Sequence, residues 1–203
     1  MSLEELLYPQ RVRQRLGLLD STPISSYGRL PKSLRQGLAL SPAGVLIPLT
    51  EVDGQMEVVF TKRPETMAQH SGEVSFPGGR AEEDDKDLLA TALRETREEI
   101  SLLEEHVHPF GALVQLPTIT GYDITAFVGE FLQPYELVPA PDEIDVLFQA
   151  PLVELANESN HRVEKKSWSG VEFEIHYYSY EDFTIWGATG HMLHELLRFL
   201  KEP

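Results

Sequence analysis

Four residues with the means to do chemistry fall close together at helical spacing: Arg94, Glu95, Glu98 and Glu99. On a helix Glu95 lies three residues from Glu98 and four from Glu99, so the three carboxylates can converge on one face. Like charges on one face repel. A divalent cation removes the conflict, because carboxylate oxygens are its natural ligands. Arg94 precedes Glu98 by four residues and stands on the flank, where it can pair with a carboxylate and hold its rotamer. Upstream, Gly78-Gly79 reads as a turn that lets backbone approach an ion or a phosphate with no Cβ in the way. An isolated Glu-Glu pair is ordinarily a solvated acidic face. Gly-Gly at one end with Arg-Glu-x-x-Glu-Glu at the other is far more specific.

The helix that must carry these groups is predicted from Asp87 to Leu102. Its periodicity gathers Leu89, Leu93, Thr96 and Ile100, with Ala92 beside them, into a stripe that should pack on a sheet. Strands are predicted at Gly44–Leu49 and Met56–Thr61, joined by the hairpin signal Asp53-Gly54. Glu73–Phe76 reads as a short extended segment. Further strands are predicted at Phe110–Gln115, Ile124–Phe131, Asp145–Phe148, Phe173–Tyr178 and Phe183–Trp186. A helix covers residues 2–18, opened by the capping-box pair Ser2 and Glu5, and Tyr8-Pro9 breaks it or ends its first part. Ser21–Pro31 is turn-rich, and a last helix runs from Gly190 to Leu200. Many strands with three helices, one of them mid-chain, predict an α/β sandwich with helices covering a mixed sheet.

Composition narrows the chemistry. The chain has 203 residues, enough for one domain with trimmings, and no cysteine, so disulfides and thiolate metal sites are excluded. A metal must then be held by oxygen or imidazole, and oxygen favours hard ions such as Mg²⁺, Mn²⁺ or Ca²⁺. The formal net charge of −16 repels phosphate backbones and argues against broad nucleic-acid binding. A small anionic substrate is still allowed, since a metal reverses the local field. Pro48 and Thr50 interrupt the best apolar run, Ala43–Leu49, and Glu4 and Glu5 sit where a basic leader would begin. The expectation is a soluble cytoplasmic protein with no membrane partner.

The segment from Gly79 to Leu102 resembles the Nudix box, G-x5-E-x7-R-E-U-x-E-E-x-G-U with U a bulky aliphatic residue. Arg94-Glu95, Glu98-Glu99 and Leu102 match directly. Thr96 takes a U position, Ser101 replaces the late glycine, and one extra residue before Arg94 puts the early acidic position on Asp85. That insertion resembles the coenzyme A pyrophosphatase branch of the family. Thr61-Lys62-Arg63 and Gly72 through Gly79 are similar to that branch's second signature, with departures at Pro64 and Ala68. Leu116-Pro117-Thr118, Gly121-Tyr122, Pro151-Leu152 and Ile185 through Thr189 also look like this branch.

The resemblance implies a Nudix-type α/β/α sandwich in residues 41–203, after an N-terminal helix and wrapping segment in 1–40. It implies hydrolysis of the pyrophosphate bond of coenzyme A or its derivatives with Mg²⁺ or Mn²⁺, giving 3′,5′-ADP and 4′-phosphopantetheine. Glu98 and Glu99 would be metal ligands, with the Gly78 carbonyl as a backbone ligand and Glu95 as base or further ligand. Arg94 would orient the carboxylates, while Asp85 and Gly79 support the site. Arg63, Arg80 and Tyr122 are candidates for substrate binding, and Glu143 falls where some members place a distal carboxylate. Alternatives are a Nudix hydrolase for another compound such as ADP-ribose, or a domain that senses a nucleotide without cleaving it. A homodimer is compatible with the reading. His191 and His194, with Glu195 adjacent, have a spacing that could bind a metal but more often marks surface or packing residues, and Trp168 and Trp186 read as core or pocket wall.

Overall fold

A computed structural model of the chain describes residues 2–26, 39–65, 72–168 and 171–202. The N-terminal helical stretch is two pieces, α1 (Leu3–Leu6) and α2 (Pro9–Leu16). Ser2 and Glu5 form the capping box, and Pro9 ends the first piece by opening the second at its first turn. The turn-rich segment includes a two-residue strand, β1 (Ile24–Ser25). Its remainder from 27 to 31 lies outside the described residues, as does Ala68.

The hairpin forms as expected between β2 (Ser41–Val52) and β3 (Gln55–Lys62). Asp53 and Gly54 both take positive φ, 48° and 78°, the twist that two-residue hairpins favour. The two strands pair only from Leu49↔Val58 to Val52↔Gln55, then diverge. Residues 74–80 fill the wedge. There β4 (Val74–Ser75) pairs with the end of β3, and β5 (Gly78–Arg80) pairs with the start of β2. Gly78-Gly79 is therefore strand and not the expected turn, because the open edge of β2 supplies partners for its backbone.

The other elements are α3 (Leu88–Ile100), β6 (Val107–Pro117), β7 (Tyr122–Phe131), β8 (Val146–Pro151), α4 (Leu152–Leu155), β9 (His161–Trp168), β10 (Val171–Tyr180), β11 (Phe183–Ile185) and α5 (Gly187–Lys201). Strands run in the order β1-β6-β7-β2-β3-β4, with β5 on β2 and β8 on β3. The pairs β2–β7 and β1–β6 are parallel and the rest antiparallel, so the sheet is mixed. A second antiparallel sheet, β11-β10-β9, was not expected at its β9 edge: charged Arg162, Glu164, Lys165 and Lys166 hide the strand pattern.

Alternation along β2 builds the layers. Val45, Ile47 and Leu49 face a large core with α2, α4 and α5, whereas Leu46 faces a smaller one under α3 with Ala92 and Ile100. Helices thus cover both faces of a mixed sheet, the α/β/α sandwich anticipated. Stacked Phe60, Phe148 and Phe183 join the small sheet to this core.

The buried side of α3 is Thr91, Ala92, Thr96, Glu99 and Ile100. Leu89 and Leu93, expected in the stripe, are only half-buried. The rotation has a steric cause. Gly44 of β2 lies against the first turn of α3, where a Cβ would stand 2.2 Å from the Leu88 carbonyl oxygen. Small residues at this crossing let the helix sit close and turn Glu99 inward. Ser101, which stands where the resembling motif has glycine, takes the left-handed conformation (φ 58°) and closes the helix as a glycine would. Amides of Val138 and Ala140 satisfy the last carbonyls, at Ile100 and Glu99.

Gly44→Ala is expected to lower stability by roughly 1–3 kcal/mol through overpacking. A thermal midpoint equal to wild type would show that helix and strand separate freely.

Candidate functional site

Arg94 is the hub of the carboxylate helix. Its Nε and Nη2 donate to the two oxygens of Asp85 at 3.0 Å each, a forked pair that lysine cannot make. Nη1 donates to Glu95 at 2.8 Å and to Glu98 at 3.1 Å, and Nη2 also reaches the Arg80 carbonyl at 3.1 Å. Asp85 further accepts from the Thr91 hydroxyl and the Glu82 amide, both at 2.9 Å. The Arg94 guanidinium, with those donors, holds the Asp85 carboxyl well below the usual range. The inserted loop is thereby tied to the helix.

Glu99 is the unusual member. It is 2% exposed, and its Oε2 has no hydrogen-bond partner among the described residues. Burial pushes its carboxyl up to about 8, opposed by Arg63 and by a hydrogen bond from the Gly78 backbone, while Glu95 and Glu143 push it further up. Arg63 Nη2 stands 3.4 Å from Glu99 Oε1. Glu95 is also raised, first by burial, with Arg94 opposing. Glu98 is 47% exposed and is drawn outward by Arg94 and Arg97. The three carboxylates share a helix face but are not gathered about one point: among the described residues the close-set ligand trio is one of histidines.

Glycines form the floor. A Cβ on Gly79 would lie 2.5 Å from the Glu95 carboxyl carbon, and one on Gly78 would lie 2.6 Å from the Gly44 carbonyl oxygen. Arg80 is exposed beside Ala43, and Tyr122, 37% exposed, pairs with Ser41 at the same end of the sheet. Trp186, read as core or pocket wall, is instead 41% exposed and stacks on Tyr177. Glu143 feeds into the field at both Glu95 and Glu99, a proximity created by the 138–144 segment that caps α3. No local pattern in the sequence marks it.

A dication fits this donor set. A buried carboxylate with an orphaned oxygen, a second half-buried one and a glycine floor are stabilised together by positive charge.

A family profile described as "NUDIX domain" matches residues 40–192, and the chain belongs to that family. It is 40% identical over 162 residues to "Nudix hydrolase 15, mitochondrial" of Arabidopsis thaliana, covering 74% of this chain and 55% of that protein. It thus spans about half the length of this plant relative. Identity to "Uncharacterized Nudix hydrolase NudL" of Photorhabdus laumondii is 34% over 154 residues, covering 76% of this chain and 82% of the other. Among solved structures, the M. smegmatis Nudix hydrolase RenU is 18% identical with a TM-score of 0.49, covering 60% of this chain and 83% of that one.

The Glu99 environment has a pH signature. Its folded value lies above the ordinary 4.5, so the folded chain holds a proton that the unfolded chain has released between about 4.5 and about 8. Stability of chelator-treated protein should therefore fall as pH rises through that window. Glu99→Gln should flatten the fall and raise the thermal midpoint at pH 8. Parallel curves for the two proteins would mean that Glu99 is not buried as seen.

Proposed function

We propose that the chain is a pyrophosphohydrolase that uses Mg²⁺ or Mn²⁺ to cleave a nucleoside diphosphate derivative, with coenzyme A or an acyl derivative as its substrate. The observation that carries the reading is the buried Glu99, with one oxygen lacking a partner among the described residues, beside Glu95 and Gly78-Gly79 and under Arg63. Such a carboxylate is costly for a helix that has only to pack.

With Glu95 as base or further ligand, Glu98, Glu99 and the Gly78 carbonyl would hold the cation. When bound, it neutralises pyrophosphate charge and lowers the pKa of a coordinated water. The chain's own residues do the rest. Arg94 keeps Glu95 and Glu98 in fixed rotamers and ties them through Asp85 to the loop. Glu95 is half-buried with a raised pKa, which suits a group that takes a proton from water. Arg63 and Arg80 supply positive charge for phosphate oxygens, and Tyr122 offers a ring at the same end of the sheet. Coenzyme A is favoured over ADP-ribose by the branch-like insertion, whose residue Asp85 is Arg94's partner. A sensing role without cleavage is disfavoured, because a pure binder has no need of the full acidic cluster.

A cytoplasmic, small-molecule enzyme is part of the proposal. Among the described residues no helix is long and apolar enough to cross a membrane.

The test is a substrate panel of coenzyme A, acetyl-CoA, ADP-ribose, NADH, a diadenosine polyphosphate and dGTP, each with Mg²⁺ or Mn²⁺ and with products read by mass. Release of 3′,5′-ADP from coenzyme A faster than any other cleavage is expected. Preference for another compound overturns the substrate, and no turnover overturns the enzyme. Glu99→Gln should keep the fold and lose most turnover, at least about a hundredfold, and Arg94→Lys should cost roughly 10–100-fold. Wild-type rates in Glu99→Gln would remove that residue from the site.

A further inference from the structure

Between β7 and β8 the chain returns to the end of α3 and runs across it. The amide of Val138 donates to the Ile100 carbonyl at 3.0 Å, and that of Ala140 to the Glu99 carbonyl at 2.8 Å. The amide of Asp145 then donates to the Lys62 carbonyl at 2.9 Å. Lys62 ends β3 and precedes Arg63. This strap therefore spans the gap between the helix that carries Glu99 and the strand end that carries Arg63. Glu143 sits between the anchors at Ala140 and Asp145, with its amide on the Ala140 carbonyl at 3.0 Å. Its neighbour Ile144 is 2% exposed and pins the strap from below. Glu143 is itself exposed, so the backbone of the strap, and not core packing, sets its place.

Two hydroxyls fasten the strap where it first meets the helix. The Tyr135 hydroxyl donates to the Ser101 carbonyl at 2.8 Å and accepts from the Leu103 amide at 3.0 Å. It thus bridges one carbonyl and one amide just past the end of α3. The Tyr135 ring is half-buried and meets His106 and Phe131 edge-on, at 5.0 and 5.9 Å between centroids, so packing aims the hydroxyl. The Ser101 hydroxyl donates to the Val138 carbonyl at 3.1 Å. Glycine would take φ 58° more easily than serine but has no hydroxyl to give. The departure from the motif at this position therefore adds a bond that the motif residue cannot make.

We propose that Ser101 and Tyr135 are positioning residues for the metal site: their hydroxyls form a clasp that holds the strap to α3 and so fixes Glu143 beside Glu95 and Glu99. The inference rests on the metal-dependent reading above and adds to it two residues outside the acidic helix face. After burial, which is the main cause, the charge of Glu143 adds to the raised pKa of both Glu95 and Glu99. A dication at that place is attracted by the same charge. Coulomb attraction falls with distance, so a strap that drifts from α3 takes this contribution with it. Neither hydroxyl is needed to end the helix, because the Ser101 amide does so on the Arg97 carbonyl at 3.0 Å. What the two hydroxyls hold is the strap.

The full chain, stripped with chelator, is titrated with Mn²⁺, and the free ion is read by electron paramagnetic resonance. Wild type, Ser101→Gly, Tyr135→Phe and the double variant are compared, each with and without Glu143→Gln. The double variant is expected to bind Mn²⁺ about tenfold more weakly than wild type, the low end of what loss of an outer-shell partner costs. In the Glu143→Gln background the same two changes should alter affinity by less than about twofold, because the charge that the clasp positions is gone. A clasp that served only to stabilise the fold would cost the same in both backgrounds. Circular dichroism and thermal midpoints of the stripped proteins check folding. Should Tyr135→Phe unfold, Ser101→Gly decides alone, because glycine takes φ 58° without strain. Wild-type affinity in the clasp variants, or equal losses with and without Glu143→Gln, would overturn the clasp and leave the metal site standing. No Mn²⁺ binding by wild type would overturn both.

Discussion

Close approach of α3 to β2 is the constraint on which the site depends. Gly44 and Gly79 leave no Cβ against α3, the first at Leu88, Thr91 and Ala92 and the second at the Glu95 carboxyl, while Gly78 lets β5 lie close to β2. The helix can then settle deep enough to place Glu99 inside and Glu95 on the floor of Gly79. A bulkier seam would lift the helix and return both carboxylates to water, where they would keep ordinary pKa values and little affinity for a common ion. The divergence of β2 and β3 serves the same end. It opens the wedge that the 74–80 segment occupies, and so brings Gly78 and Gly79 beneath the helix.

Charge on the helix is managed unevenly. Arg94 pairs with Asp85, Glu95 and Glu98, and these interactions meet ordinary folding demands. Glu99 faces Arg63 at the long distance of 3.4 Å and keeps one oxygen without a partner among the described residues. That asymmetry separates scaffold from reactive group. The satisfied pairs hold geometry, while the unsatisfied one stores unfavourable free energy that a cation would release. Low stability at Glu99 and the metal-binding role proposed for it are thus two consequences of one burial.

On one face carboxylates stand beside glycines. On the other, imidazoles gather where Gly190 lets α5 touch β10. In both places a glycine marks close approach of helix to strand, and titratable groups occupy the space beside it.

Much of this was legible in the sequence. Asp53-Gly54 set the hairpin because both residues tolerate positive φ, and the apolar runs within β2 and β7 marked the strands. The order Arg94-Glu95-x-x-Glu98-Glu99 determined the acidic face through the period of the helix alone. Local patterns could not decide how far that helix sinks. Leu89 and Leu93 look like its buried stripe, yet Gly44, some fifty residues away, rotates the seam toward Glu99. The nearness of Arg63 and Glu143 to Glu99, and the meeting of His161, His176 and His194, are likewise contacts between distant segments. Periodicity reports which side of an element is apolar. Only tertiary packing decides which polar group on that side is taken out of water, because burial depends on the shape of the partner surface.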